Sequence, residues 1–392
     1  MVEKLAGSSD VYFLGVDDTT LDLFESQYRI PDGVSYNSYL IRDEKIAVMD
    51  TVDHRATDMW LDHLEEALDG RAPDFLVVHH MEPDHSGSIR VFMEKYPETK
   101  IVVNPKSKVM LSQFLGDTYN DRQVVVNEGD TLKLGAHELT FVMAPMVHWP
   151  EVMVSFDTKD GILFSADAFG KFGAVGGNRY ADKTDWTDEA RRYYLNIVGK
   201  YGMMVQKLLA KAGKLAIKTI CPLHGPVINE DLSFYLGLYD TWSSYKPEEK
   251  GVFIPYASVH GNTKAAALKL AELVSARGVK AVPFDLTRGD AAEALADCYR
   301  YDKIVFASVT YDGGIFPAMQ SLLYKLTLKN FQNRKVAFLE NGSWAPQAAC
   351  LMEKMLCGMK GISVCSHKVT IRSAMKEADV AAMNAMLDEL LA

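Results

Sequence analysis

The segment from His80 to His85 constrains this chain more than any other feature of its sequence. It reads His80-Met81-Glu82-Pro83-Asp84-His85, which places two imidazoles and two carboxylates within six residues. The preceding run 75–78 is apolar and predicts a buried strand, and the proline and the following 86–88 place the ligands on the loop that leaves it. A loop on a rigid strand can direct several side chains toward one point, so the segment predicts a metal site. The alternative is a solvated acidic turn with incidental histidines.

Three further potential ligands end apolar runs in the first part of the chain. His148 follows the run 141–147, Asp167 follows 162–166, and His224 follows 220–223. Taken singly, each is more typical of a buried polar group that finds a hydrogen bond. Strand ends in a layered domain meet at one edge, however, so we expect these residues to gather there. The combined set of four imidazoles and three carboxylates suits two metal ions: His80, Glu82, Asp84, His85, His148, Asp167 and His224.

The organisation of the chain changes near residue 250. A length of 392 residues favours two domains. The first two-thirds show hairpin signatures, which predict a β-rich layered α/β domain. The segment 244–250 is charged and contains a proline, so we place the boundary there and expect domains at 1–249 and 250–392. Apolar strands then alternate with helical patterns and predict a parallel, doubly wound sheet, although Pro255 would remove a hydrogen-bond donor from a central strand. These predicted strands are 252–257, 280–284, 303–308, 335–340 and 362–364.

Three loops at the ends of these strands are candidate ligand-binding segments. The first precedes an alanine-rich helix, so its hydroxyls and backbone N–H groups predict a phosphate cradle; the alternative is an ordinary capped turn. The other two lie where doubly wound folds bind ligands, and each carries an aromatic residue that could stack on a flat ring or simply edge the core. The loops read Ser258-Val259-His260-Gly261-Asn262-Thr263, Ser308-Val309-Thr310-Tyr311-Asp312-Gly313-Gly314 and Asn341-Gly342-Ser343-Trp344-Ala345.

These motifs together resemble the flavodiiron proteins. Five of the potential ligands fall where metallo-β-lactamase-fold proteins keep metal ligands, and Glu82 stands in place of the second histidine of H-x-H-x-D-H. A carboxylate there adds a negative charge and a hard oxygen donor, which shifts preference from zinc toward iron. The loop 258–263 resembles the flavodoxin phosphate loop S/T-x-T-G-N-T. The segment S-V-T-Y-D-G-G-I-F-P resembles the family's S-P-T-x-N-G-G-I-F-P, from which Val309 and Asp312 depart.

The resemblance implies a metallo-β-lactamase-like αββα sandwich followed by a flavodoxin-like doubly wound parallel sheet. It implies FMN and a non-haem diiron site that reduces dioxygen to water, nitric oxide to nitrous oxide, or both. Two ferrous ions and one two-electron reduced flavin supply the four electrons that dioxygen needs. By the same resemblance His80, Glu82 and His148 bind one iron, Asp84, His85 and His224 bind the other, and Asp167 bridges them. The three loops above would bind the FMN.

The resemblance also suggests roles for two aromatic residues and a mode of assembly. Tyr194 would lie near the iron pocket and donate a hydrogen bond to a reduced oxygen species; a packed helix tyrosine is the alternative. The family assembles head to tail, so we expect a homodimer, or a tetramer of such dimers. In that assembly Trp149 would line the contact with a flavin.

Composition and charge restrict the classes of partner and the cellular location that we expect. A net charge of −10 disfavours nucleic acid and anionic membrane surfaces as partners. No apolar run is long enough to span a bilayer, and the N-terminus lacks a signal-peptide core, which predicts a cytoplasmic protein. Five cysteines without a C-x-x-C pair argue against a disulfide framework or a rubredoxin-type site. We therefore expect an external electron donor, a rubredoxin or a flavin reductase.

Three other functions stay open at this point. The chain could be a zinc-dependent hydrolase of the metallo-β-lactamase fold, although the flavin loops do not favour that function. It could be a non-catalytic electron carrier, or a diiron sensor that binds a diatomic gas without turnover. Metal analysis, the visible spectrum and gas consumption distinguish them.

Overall fold

A computed structural model describes residues 2–392, which form two compact units. The first unit comprises residues 2–194 and 203–240, and the second comprises 195–202 and 241–392. Among the described residues, no helix is both long enough and apolar enough to cross a membrane.

The first unit is built from short strands interleaved with helices. Its strands are β1 (Glu3–Lys4), β2 (Val11–Phe13), β3 (Val16–Asp18), β4 (Leu23–Phe24), β5 (Tyr28–Arg29), β6 (Val34–Tyr36), β7 (Tyr39–Arg42), β8 (Ile46–Met49), β9 (Phe75–Val77), β10 (Lys100–Val103), β11 (Gln123–Val125), β12 (Thr131–Lys133), β13 (Glu138–Met143), β14 (Met153–Asp157), β15 (Ile162–Phe164) and β16 (Thr219–Cys221). Its helices are α1 (Thr57–Leu68), α2 (Pro83–Ser86), α3 (Ile89–Lys95), α4 (Pro105–Leu115), α5 (Lys183–Ile197), α6 (Gly202–Ala212) and α7 (Leu232–Ser243), with 3-10 turns at His54–Ala56, Gly116–Arg122 and Gly199–Tyr201. The ends of α5, α6 and α7 extend into the residues of the second unit.

Two sheets pack face to face to make the core of the first unit. One sheet has the order β1-β2-β7-β8-β9-β10-β11, and the other has the order β12-β13-β14-β15-β16. Fully buried side chains of the first sheet, such as Met49 and Val77, share one apolar cluster with Phe141 and Met153 of the second. The helices α1 and α3 pack against each other through Trp60 and Phe92, outside this cluster. Alternating apolar residues along short strands produce such a sandwich because each sheet must bury one face.

The second unit is a parallel sheet with helices between its strands. Its strands are β17 (Glu249–Ala257), β18 (Ala281–Asp285), β19 (Tyr301–Tyr311), β20 (Gly314–Ile315), β21 (Lys335–Asn341), β22 (Ser363–Val364) and β23 (Val369–Ile371). Its helices are α8 (Asn262–Ser275), α9 (Ala291–Arg300), α10 (Pro317–Leu328), α11 (Ala348–Leu356) and α12 (Glu377–Leu391). The strand order β18-β17-β19-β21-β22 is that of a doubly wound sheet, with β23 also pairing with β21.

The five predicted strands of this sheet are present, together with two that the sequence pattern missed. One is β20, which runs antiparallel to the end of β19 through Tyr311↔Gly314, and the other is β23, which runs parallel to the end of β21 through Asn341↔Ile371. Pro255 does lie in the central strand β17, opposite Phe284 of β18. Registered pairs with β19 stop at Phe253 and resume at Tyr256, so the proline occupies a gap in that ladder. A second proline, Pro283, lies in the edge strand β18.

The two units are not divided at a single point of the chain. The chain divides at 240/241, and residues 195–202 join the second unit. Within that unit, the Asn196 side chain donates to the Ala292 carbonyl oxygen at 3.0 Å, and the Tyr245 hydroxyl donates to the Gly199 carbonyl oxygen at 2.9 Å. A domain division at 249/250 stays a prediction.

Candidate metal centre and phosphate-loop pocket

The C-terminal ends of four strands deliver the side chains of the candidate metal centre. The residue His80 lies three positions after β9, Asp167 three after β15 and His224 three after β16. His148 follows β13 through a turn. Because β15 and β16 are parallel neighbours, their carboxyl ends lie side by side. The loop expected to hold the six-residue segment is partly helical, since Asp84 and His85 belong to the single-turn helix α2.

Four of the predicted ligands converge into a first group, which we define as His80, Glu82, His148 and Asp167. The Glu82 carboxylate lies 3.2 Å from Nε2 of His80 and 3.1 Å from Nε2 of His148. The Asp167 Oδ2 atom lies 3.1 Å from Nε2 of His148 and 3.6 Å from Nε2 of His80. Both imidazoles therefore point the same ring nitrogen at the two carboxylates.

The remaining three ligands form a second group, which we define as Asp84, His85 and His224. Nε2 of His224 lies 3.2 Å from the Asp84 carboxylate and 3.1 Å from Nε2 of His85. The second oxygen of Asp167, Oδ1, lies 3.1 Å from Nε2 of His85. Asp167 therefore faces the first group with one oxygen and the second group with the other.

Metal ions would compensate the buried polar atoms of both groups better than these atoms compensate one another. Within residues 2–392, the two carboxylate oxygens of Asp84 and Oδ1 of Asp167 are buried without a hydrogen-bond partner. Leaving buried carboxylate oxygens uncompensated is costly, whereas a cation between them compensates the charge. Oxygen and imidazole donors in this proportion suit divalent iron, manganese or zinc.

The electrostatics of the first group show how strongly it attracts positive charge. Burial alone would lower the pKa of His148, but the carboxylates of Asp167 and Glu82 outweigh it and raise that pKa to about 9. Burial would raise the pKa of Glu82, yet the neighbouring imidazoles of His148 and His80 lower it. A bound cation would supply the same stabilisation without requiring protonated imidazoles.

In two of the four ligand imidazoles, the hydrogen bond of the second ring nitrogen fixes which nitrogen faces the centre. Nδ1 of His224 lies 2.7 Å from the Ser35 carbonyl oxygen, which can only accept a hydrogen bond. Nδ1 therefore carries the proton, and Nε2 presents a lone pair to the second group. Nδ1 of His80 lies 2.7 Å from the buried carboxylate of Glu151. Nδ1 of His80 therefore also carries the proton, and its Nε2 presents a lone pair to the first group.

A buried carboxylate, Asp50, supports the backbone from which the ligands project. Its Oδ1 accepts the N–H of His79 at 2.7 Å, and its Oδ2 lies 2.5 Å from Nδ1 of the same residue. The opposite ring nitrogen of His79 lies 2.8 Å from the Ser155 hydroxyl on β14. All three side chains are buried, so this chain of hydrogen bonds joins the two sheets directly beside His80.

Tyr193, the neighbour of the predicted Tyr194, packs against a ligand of the centre. The Tyr193 ring lies 5.6 Å from the ring of His224, and its hydroxyl has no hydrogen-bond partner among residues 2–392. Burial, followed by the charges of Asp167, Asp84 and Glu82, raises its pKa well above the usual value. The Tyr194 ring packs on Tyr239 at 5.0 Å. The sequence could not choose between adjacent tyrosines, because the ring contacts decide which faces the ligands.

An opening leads from the surface of the first unit to the ligands. It encloses a cavity of about 300 Å³ whose wall includes Glu82 and Asp84. Phe24, Tyr36 and Arg55 line the rest of the approach. The Phe24 ring lies edge-on to His224 at 5.4 Å, so this strand β4 residue closes one side of the centre. The cavity is large enough for small molecules to reach the carboxylates.

The three predicted loops of the second unit surround one cavity of about 610 Å³. The Tyr311 side chain is 46% exposed and that of Trp344 is 82% exposed, so both present free ring faces beside it. At Gly261, φ is +89° and a side chain would meet no atom within 4 Å, so the loop turns sharply beside open space. Its N–H donates to the Ser258 hydroxyl at 3.1 Å. A hydroxyl-rich loop at the start of α8, with open space before it, fits an anionic phosphate.

Most, but not all, of the predicted loop residues line this cavity. Those that line it are Ser258, Val259, His260, Asn262, Thr263, Val309, Thr310, Tyr311, Asp312, Gly313, Asn341, Gly342, Ser343, Trp344 and Ala345. Gly261, Ser308 and Gly314 do not form its wall. Gln347 and Ser373 line it without having been predicted. Ser373 follows the missed strand β23, which explains why the sequence pattern did not indicate it. Trp149 lies in the first unit, with its ring 5.3 Å from that of His80.

Comparison with known proteins matches both units. A family model described as ODP family beta lactamase matches residues 34–225, and a flavodoxin model matches 254–382. Anaerobic nitric oxide reductase flavorubredoxin from Vibrio vulnificus is 30% identical over 346 residues, covering 86% of this chain and 69% of that protein. The chain thus spans about two thirds of the length of such relatives.

Solved structures give the same result over the full length. Rubredoxin oxygen:oxidoreductase from Desulfovibrio gigas superposes with a TM-score of 0.92 at 26% identity, covering 100% of this chain and 98% of that chain. The flavodiiron protein from Giardia intestinalis has a TM-score of 0.90 at 25% identity, covering 99% and 96%.

This chain belongs to the flavodiiron proteins. The predicted fold class, a metallo-β-lactamase-like sandwich followed by a flavodoxin-like sheet, is confirmed. The cofactors of this flavodiiron protein are FMN and a pair of non-haem irons.

Replacing Asp50 by alanine tests the support of the ligand loop. The change leaves the His79 imidazole and a buried N–H group without their acceptor, which should lower the free energy of unfolding by about 2–4 kcal/mol. Urea denaturation of the metal-free protein, followed by circular dichroism, measures it. The matched control is Asp58→Ala on the exposed side of α1, expected to change stability by less than about 0.5 kcal/mol. Equal stability of the two variants would contradict the assigned role.

Proposed function

We propose that this flavodiiron protein is an oxidoreductase that reduces dioxygen to water, nitric oxide to nitrous oxide, or both. The observation that carries the proposal is the pair of ligand groups that share Asp167. In this proposal His80, Glu82 and His148 hold one iron, Asp84, His85 and His224 hold the other, and Asp167 bridges them. When bound, the irons supply electrons to a diatomic substrate, and FMN replenishes those electrons.

The residues around the ligands bind and orient the substrate. The carboxylates Glu82 and Asp84 face the 300 Å³ cavity, so a diatomic molecule entering there reaches the centre directly. The raised pKa of Tyr193 keeps its hydroxyl protonated, and that hydroxyl has no other hydrogen-bond partner in residues 2–392. Tyr193 is therefore suited to donate a hydrogen bond to a substrate oxygen that gains negative charge. A hydrogen bond from Tyr194 to a reduced oxygen species stays a prediction.

The second unit is suited to hold the flavin in its 610 Å³ cavity. The loop 258–263 would receive the phosphate at the N-terminus of α8, where backbone N–H groups and the helix dipole favour an anion. Tyr311 and Trp344 would stack on the isoalloxazine ring, while the loops 308–314 and 341–345 approach its edge. His260, Val309 and Asp312, which depart from the family's motifs, also line this cavity.

Cofactor stoichiometry and gas consumption test the proposed function together. Iron, zinc and FMN are measured on protein purified without oxygen, and dioxygen and nitric oxide consumption are followed under a reductant. We expect two irons and one FMN per chain, with turnover of at least one gas. Zinc without iron would support the hydrolase alternative. Iron and FMN without turnover would support a carrier or a sensor.

Replacing Asp167 by alanine removes the one carboxylate that faces both groups. Both irons should be lost together, because each group loses a ligand and the shared negative charge. Metal analysis of the purified variant measures this, with Asp58→Ala as the control that should keep both irons. A full iron complement in the Asp167 variant would disprove the bridging assignment.

Replacing Gly261 by valine should abolish FMN binding. A β-branched residue is strained at φ +89°, and its side chain would project into the space before α8. The flavin content is read from the visible spectrum. Gly278→Val is the matched control. That glycine also has a positive φ, +72°, and open surroundings, but it lies beyond the C-terminal end of the same helix. Loss of flavin in both variants would indicate general strain and not a phosphate cradle.

We also propose a head-to-tail homodimer, or a tetramer of such dimers, in which Trp149 contacts the flavin of the partner subunit. Trp149 is half-buried beside His80, which suits it to such a contact. The prediction is that Asp167→Ala and Gly261→Val chains, each inactive alone, regain part of the activity when they are unfolded and refolded together with both cofactors. Each variant refolded alone is the control. Mixed dimers without any regained activity would contradict electron transfer between subunits.

An external donor completes the proposed reaction. The superposing protein from Desulfovibrio gigas is named rubredoxin oxygen:oxidoreductase, so we propose a separate rubredoxin, or a flavin reductase, as the donor. A cytoplasmic location remains a prediction from the sequence.

A further inference from the structure

Glu151 is a buried carboxylate that lies behind the first group of metal ligands. The residue is 1% exposed and follows His148 in the turn before β14. Its Oε1 lies 2.7 Å from Nδ1 of His80 and accepts the N–H of Met81 at 2.9 Å. Its Oε2 is buried without a hydrogen-bond partner in residues 2–392. One full negative charge is therefore directed at a ligand imidazole from the side opposite the metal.

The position of Glu151 is fixed from outside the metal centre. The Asn104 side chain accepts the N–H groups of Lys106 and Ser107 at the start of α4, at 2.9 and 3.0 Å. The amide nitrogen of the same side chain donates to the backbone oxygen of Glu151. A helix cap thus holds the glutamate in place independently of whether the centre is loaded.

The second group has no such charge behind its imidazoles. Nδ1 of His224 donates to the neutral carbonyl oxygen of Ser35, and Nδ1 of His85 is buried without a hydrogen-bond partner in the described chain. Throughout residues 2–392, His80 is the one ligand imidazole with a carboxylate oxygen within 4.0 Å of its Nδ1. The two metal positions therefore differ in their outer surroundings, although both use imidazole and carboxylate ligands.

We propose that Glu151 makes the two irons unequal, so that the iron held by His80 is the first of the pair to lose an electron. This inference rests on the iron assignment of the proposed function. A negative charge hydrogen-bonded to Nδ1 makes the imidazole a stronger donor through Nε2, which favours the ferric over the ferrous ion. Glu151 acts through His80 and is therefore a positioning residue.

The experiment is an anaerobic redox titration of the iron- and FMN-loaded protein. Each ferricyanide ion accepts one electron and becomes ferrocyanide. The diferrous centre gives up two electrons, the first leaving the mixed-valent pair and the second the diferric pair, and the reduced FMN gives up two more, which the visible spectrum follows separately. The mixed-valent pair is detected by electron paramagnetic resonance, which yields the two one-electron potentials. Iron and FMN are quantified in every sample.

Glu151→Gln removes the charge and keeps an oxygen that can accept from both His80 and Met81. We expect the first oxidation to move to a more positive potential than in the wild type, the second to move less, and the maximal mixed-valent signal to shrink. Glu151→Asp keeps the charge and should stay closer to the wild type. Glu128→Gln is the matched control, because it removes the same charge from an exposed position of the same unit and should leave both potentials unchanged.

Three results would overturn the inference. One is an iron-loaded Glu151→Gln protein with wild-type potentials, and another is a shift confined to the second oxidation. The third is an equal shift in Glu151→Asp and Glu151→Gln, which would show that the shape of the side chain matters and its charge does not. If Glu151→Gln bound no iron, the Glu151→Asp potentials would decide, since retained charge predicts values near the wild type. A wild-type protein without iron would instead refute the proposed ligand assignment.

Discussion

The buried Asp167 carboxylate faces both ligand groups, one with each oxygen, and the rest of the first unit depends on this constraint. Its oxygens lie 3.1 Å from Nε2 of His148 and 3.1 Å from Nε2 of His85, so a single side chain sets the separation of the two ligand groups. That geometry requires β15 and β9 to end at the same edge although they belong to different sheets. The apolar cluster between the sheets holds them in that relation, and the hydrogen bonds from Asp50 through His79 to Ser155 fasten them beside the ligands. The packing of the two sheets therefore also fixes the geometry of the two ligand groups.

Much of the architecture follows from local patterns. Five strands of the second unit were predictable because short apolar runs alternate with helical periods. The ligand set was predicted from the six-residue segment 80–85 and from three residues that each end an apolar run, His148, Asp167 and His224. Strand β23 was missed because Thr370 interrupts its apolar residues Val369 and Ile371, and Ser373 was missed with it. The short helix α2 was missed because Pro83 and the segment 86–88 indicated a loop.

The residues that support the ligands could not be found in the same way. Asp50, Glu151 and Ser35 act through contacts with residues between 29 and 189 positions away in the chain, and no local pattern reports such a contact. Tyr193 and Tyr194 are adjacent on α5, and the contacts of their rings with His224 and Tyr239 join residues that are distant in the chain. The assignment of residues 195–202 to the second unit likewise depends on contacts such as that of Asn196 with Ala292.

The proline in β18 has a consequence for how copies of this protein can associate. That strand is an open edge of the second sheet, and an open edge normally offers unpaired N–H and C=O groups to any other extended chain. Pro283 lies in the middle of the strand, and a proline in an edge strand disfavours pairing with another strand. Association at this edge is therefore left to side chains, whose shapes and charges discriminate between partners far better than backbone pairing does.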